Sequence, residues 1–268
     1  MELQFKNPSF FERLKSMLGV DFYRLFHTPL FYIFLSIAAI IPAMILGTTG
    51  MEEGVAPMYT NTWHIIAGET PTYVVNSIAE YANMNMVFIF GGIMVSIFIG
   101  HDYKSGYVKQ LFTTHPKKQD YMMSKSITCA FAMACMCLTY TLGAVAAGLL
   151  TGTSFEVNVG SLIIAIVSKM IMSLGWASLY TFLNVIFRKY FGISIVSSFF
   201  FGTGILIIGA AALLGESSIL NIFLYGSSVY ACLTSNFDTL IVCSVMSIGW
   251  AIIYNVLGTA LLSKSDVY

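Results

Sequence analysis

Residues 237–262 read FDTLIVCSVMSIGWAIIYNVLGTALL, and after Asp238 no charged side chain interrupts the run. A helix needs about 20 mainly apolar residues, at about 1.5 Å of rise each, to cross about 30 Å of hydrocarbon; this stretch meets that requirement. The whole chain has the same character. Hydrophobic residues make up 57% of its 268 positions and charged residues 10%, against about a half and a quarter in a soluble domain. Five further apolar segments, approximately 30–48, 85–99, 121–150, 160–187 and 192–214, complete a predicted set of six transmembrane helices, the second starting a few residues before 85. The expectation is an all-α integral membrane protein whose residues 1–268 form a single transmembrane domain.

Basic residues keep loops on the cytoplasmic side of a membrane. Lys6, Arg13, Lys15 and Arg24 precede the first span, Lys104, Lys109, Lys117, Lys118 and Lys125 cluster between the second and third, and Arg188, Lys189 and Lys264 fall on the same side. The opposite loops carry Glu52, Glu53, Glu69, Glu80, Glu156 and Glu216 without a Lys or Arg. Both termini are therefore predicted to be cytoplasmic. With 13 basic and 13 acidic side chains, the overall charge gives no argument for nucleic acid as a partner.

The lead segment 1–29 spaces Phe10, Phe11, Leu14, Met17, Leu18, Phe22, Leu25 and Phe26 by threes and fours, the period of an amphipathic helix lying along the membrane surface. Ser9 and Glu12 have capping-box spacing, and Pro29 separates this helix from the first span. Residues 49–82 form an extracellular loop too short for a domain. Residues 215–236 include an apolar stretch far too short to cross, which predicts a re-entrant extracellular element after helix five, shielded by protein or facing a water-filled cavity.

No His-Glu-x-x-His, Gly-x-Ser-x-Gly or nucleotide phosphate loop occurs, so no catalytic residue, cofactor or metal site is assigned to this chain. Cys129, Cys135 and Cys137 share one apolar run, which is not a disulfide framework. His27, His64, His101 and His115 are scattered over both sides. The informative soluble stretch is HDYKSGYVKQLFTTHPKKQDYMMSK, residues 101–125. A positive-inside loop accounts for its lysines but not for the aromatic and apolar residues among them. Tyr107, Leu111 and Phe112 can share one helical face, Gly106 allows a sharp turn and Pro116 stops the helix.

In these parts the chain resembles the permease subunits of ABC-2 type exporters: the amphipathic lead, six spans, a Gly-to-Pro cytoplasmic segment ending in Lys125, and a short apolar element after span five. The resemblance implies that segment 101–120 contains a coupling helix. Tyr103, Lys104, Tyr107, Lys109, Leu111, Phe112, His115 and Pro116 would then dock on an ATP-binding subunit. It further implies two copies of that subunit, which would hold the ATP and Mg, and a second permease subunit forming a homodimer in a bacterial plasma membrane. Asp102 matches the acidic residue that the family often has before the glycine, whereas Tyr107 stands where a Thr is common and Lys118 or Gln119 stands near the position of an Arg. The predicted activity is ATP-driven export of an amphipathic or hydrophobic cargo such as a peptide, drug or lipid.

Lys169, well inside span four, costs a few kcal/mol or more to insert. It reads either as a pathway-facing charge or as a lysine paired in the bundle or snorkelling outward. Two other classes compete with the exporter: a membrane-embedded enzyme using residues such as Glu69, Glu80 and His64, and an ion-coupled carrier working without an ATPase.

Overall fold

The computed structural model describes residues 8–49, 78–114, 117–150, 159–204, 222–232 and 237–264, and among them there is no strand. The helices are α1 (Phe10–His27), α2 (Pro29–Thr49), α3 (Ile78–Lys104), α4 (Tyr107–Thr114), α5 (Lys118–Leu150), α6 (Val159–Ile186), α7 (Phe191–Gly202), α8 (Leu224–Cys232) and α9 (Phe237–Lys264). Four of them, α3, α5, α6 and α9, are long and apolar enough to cross a membrane. A fifth crossing is reached if α1 and α2, bent by 65°, are taken as one broken span. Six crossings are thus more than the described residues show.

Local chemistry explains the bend. Ser9 caps α1 as the spacing predicts: its amide donates to Glu12 Oε2 at 2.7 Å, and its hydroxyl accepts from the Glu12 amide at 3.4 Å. That contact with the Ser9 amide holds the exposed Glu12 carboxyl below its ordinary pKa. At the other end Thr28 is extended, φ −97° and ψ 121°, because the residue before a proline is pushed out of the helical region. Pro29 then opens α2, where its missing N–H is not needed.

The core is centred on α6, which packs against α3, α5 and α9. Phe88, Trp176 and Tyr180 stack in series, with ring centroids 5.4 and 5.6 Å apart. Hydrocarbon offers no hydrogen-bond partners, so polar groups at this depth must satisfy one another. Tyr180 donates to the Phe88 carbonyl at 3.0 Å, and Trp176 Nε1 donates to Ser228 Oγ at 2.7 Å. Asn184 ties α6 to Ser96 of α3 at 3.1 Å and to Ser194 of α7. Asn255 donates to Ser178 Oγ at 3.1 Å and accepts from Ser126 Oγ at 3.0 Å. Both asparagines link helices.

Helix α7 has 12 residues, about 18 Å, and runs into Gly204 with φ +65°. The span predicted over 192–214 is therefore seen only as far as 204. The nine-residue α8 meets the bundle at half depth: the Ile222 carbonyl accepts from Trp250 Nε1 at 2.8 Å, midway along α9. The loop assigned to 49–82 falls mainly outside the described residues, although α3 begins at Ile78, earlier than the predicted start near 85.

Close helix approach depends on small residues. At Gly143 an added Cβ would lie 2.2 Å from the Ala39 carbonyl oxygen of α2, a backbone atom that cannot step aside. Gly143→Ala is expected to destabilise the α2–α5 contact by about 1–3 kcal/mol, as overpacking does, read as a lowered melting temperature in detergent.

Candidate docking and coupling site

Chain reversals at one end of the bundle bring together the ends of α3, α5, α6, α7 and α9 with all of α1 and α4. Most of the described Lys and Arg residues lie here, and it is called the basic end below. Gly106, φ +76°, forms the elbow between α3 and α4. Its amide donates to the Tyr103 carbonyl at 3.3 Å, and its own carbonyl accepts from the amide of Lys109 at 3.1 Å, so one residue closes one helix and starts the next. The left-handed backbone here suits glycine.

Beyond the elbow, α4 has two faces. Val108 is 1% exposed and sits with Met17, Tyr121, Met122, Val185 and Leu262 in a small apolar core separate from the main one, with Tyr103, Leu111 and Phe112 packed against it. Phe112 meets the Tyr121 ring edge-on at 5.5 Å. The other face exposes Lys109, Gln110 and Thr113, continuing Lys104 and Ser105. Of the predicted docking residues, Lys104 and Lys109 thus point outward, while Tyr103, Tyr107, Leu111 and Phe112 are half-buried. His115 and Pro116 lie outside the described residues.

A charged cluster lies directly beneath. Lys125 of α5, wholly buried, places Nζ 2.5 Å from Asp21 Oδ1 of α1 and 2.7 Å from Asp102 Oδ2 of α3. The latter contact is an ion pair rather than an aligned hydrogen bond. Arg24 of α1 donates to Asp102 Oδ1, and Ser124 Oγ donates to Asp21 Oδ2 at 2.6 Å. Two cations and two carboxylates therefore balance. The Tyr107 ring, first in α4, caps them, with its centroid 4.5 Å from Arg24 Cζ and 5.7 Å from Lys125 Nζ. Burial disfavours the charged guanidinium of Arg24, but Asp102 and Asp21 outweigh it and raise its pKa.

Helix α1 reaches this cluster because it carries three faces at about 100° per residue. Leu14, Met17, Asp21 and Leu25 form the buried stripe. Arg13 and Arg24 share one flank; Arg13 Nε reaches Asp120 Oδ2 at 2.7 Å. Phe11, Phe22 and Phe26 lie on the other flank with Lys15 among them, and Phe22 and Phe26 touch Phe131 of α5. The apolar pattern identified the helix but passed over Asp21, although an acid on an otherwise apolar stripe is itself the signal of a buried cation opposite. Lys125 and Asp102, each just inside an apolar run, were the available partners. Lys169 is remote from this cluster, about 25 Å along α6 from the basic end. It is 3% exposed and engaged in the bundle.

Among the described residues, an apolar bundle with four helices long and apolar enough to cross a membrane marks the chain as a membrane component. The chain belongs to the ABC-2 family of transporter proteins, whose profile matches residues 18–205, from within α1 past the end of α7. No curated protein matches the chain. As a family member it is a transmembrane permease of an ABC exporter, associated with an ATP-binding subunit and the membrane. The matched span contains Asp21, Arg24, Asp102 and Lys125.

Removing one partner from a buried ion pair leaves an uncompensated charge and costs about 3–5 kcal/mol. Lys125→Met is expected to lower stability by about that amount in detergent melting. Adding Asp21→Asn to it should recover part of the loss, because Arg24 and Asp102 then remain as a balanced pair.

Proposed function

We propose that this permease exports an amphipathic or hydrophobic cargo through a pathway formed by two identical chains, driven by two ATP-binding subunits that dock on α4 from the cytoplasm. The ATP and Mg belong to those subunits; this chain supplies the path and the docking surface. The observation that carries the reading is the two-faced α4. Its inner face is seated in a core shared by α1, α5, α6 and α9, and its outer face presents Lys104, Lys109, Gln110 and Thr113. A force applied there meets a seated helix rather than a loose loop.

In this reading both termini are cytoplasmic, which puts the basic end on the side where ATP is available. The half-depth α8 is the re-entrant element, and α7 is the inner part of the fifth of six spans. An ion-coupled carrier would use titratable acids at mid-depth. Among the described residues the acids of the long helices, Glu80, Asp102, Asp120 and Asp238, all lie near helix ends.

Leu111 and Phe112 brace α4 from within, so charging them would unseat the helix and not only its contact with a partner. The cleaner test is Lys109→Glu with Thr113→Trp, both on the exposed face. The tagged double variant, extracted in mild detergent from the native host, is expected to melt like the wild type and to lose its ATP-binding subunit. Copurification at unchanged stoichiometry would remove α4 as the docking site.

A further inference from the structure

We infer that Arg24 and Lys125 are positioning residues that lock α1 and α4 into one body, so that α1, and through it α2, moves whenever α4 is moved. The inference rests on the docking role proposed for α4 and extends it to a transmission route through the amphipathic helix.

Three observations carry it. First, α4 joins α3 through Ser105 and Gly106, and a Cβ added at Gly106 would meet nothing, so side-chain packing at the glycine does not hold the direction of α4. Second, the first residue of α4 after that elbow, Tyr107, lies over both cations of the cluster. Arg24 simultaneously holds Asp102 at the end of α3, and Lys125 holds Asp21 in α1. Rotating α4 without α1 would pull the tyrosine off the guanidinium and expose a charge balance that is sealed at 0–2% exposure for Asp21, Asp102 and Lys125. Third, Met17 of α1 and Val108 of α4 share the small apolar core, so a second contact set also joins the two helices. Beyond α1 the chain turns at Thr28 straight into α2, with no slack in which to absorb motion.

Arginine suits this task better than lysine, since its planar group can stack on a ring while donating to a carboxylate in the same plane. Arg24→Lys should therefore hold α4 less tightly than the wild type, and Arg24→Leu should release it.

The test uses the full chain in lipid nanodiscs, with spin labels at Ser16→Cys of α1 and Thr113→Cys of α4, both exposed. The wild type is expected to give one narrow distance, Arg24→Lys a broader one and Arg24→Leu the broadest. Gly143→Ala, destabilised elsewhere, should keep the narrow distance and so separates positioning from general loss of stability. In complex with the copurified ATP-binding subunit, trapping with ATP and vanadate should shift the distance between labels at Ser16 and Val245, and Arg24→Leu should abolish that shift. A narrow Ser16–Thr113 distance in Arg24→Leu would overturn the lock, and a persisting vanadate shift would overturn the transmission. If no ATP-binding subunit copurifies with the wild type, the docking reading fails, while the nanodisc measurement still decides the lock.

Discussion

Three buried charges and a half-buried arginine, placed where three helices meet, set the terms for the basic end of this protein. Lys125 has no exposed surface, and its carboxylate partners come from α1 and α3. In such surroundings an ionised group is tolerated only when it is matched in charge and in hydrogen bonds. The match fixes the depth of α1 against α5, the register of the α3 end, and the place of Tyr107. The small apolar core around Val108 then fills the space beside it.

Elsewhere the bundle solves the complementary problem of joining apolar helices inside an apolar solvent. Hydrophobicity supplies little preference there, so small residues and interhelical hydrogen bonds carry the specificity. Ser96 Oγ and Ser198 Oγ are hydrogen-bonded to each other at 2.7 Å. Ser194, Ser198 and Gly202, one turn apart, make the buried face of α7. Helix α9 shows the other side of the same economy: Val245, Ile252 and Val256 are 60–62% exposed, as suits side chains whose solvent is hydrocarbon.

Much of this was legible in the residues. Long apolar runs marked α3, α5, α6 and α9, the Ser9 and Glu12 spacing marked the start of α1, and Pro29 marked its end. The run through 192–214 did not reveal that Gly204 would take a left-handed backbone, because apolar composition reports depth and not local backbone conformation. At the site, Lys104 and Lys109 lie on the exposed face. Leu111 and Phe112, predicted on the same docking surface, are half-buried, because the one apolar stripe of an eight-residue helix also packs against the core anchored by Val108. Asp21, Asp102 and Lys125 are separated by 81 and 23 positions, and pairing of that kind becomes visible only when the chain is folded.

The separation also has a temporal meaning. During synthesis Asp21 and Arg24 appear first, Asp102 follows at the end of the second apolar run, and Lys125 comes last, about a hundred residues after Arg24, so Asp21 must wait in the headgroup layer until its counter-ion is delivered by the third apolar run. Burial of α1 is thus a late event in biogenesis, after two earlier runs have already been inserted.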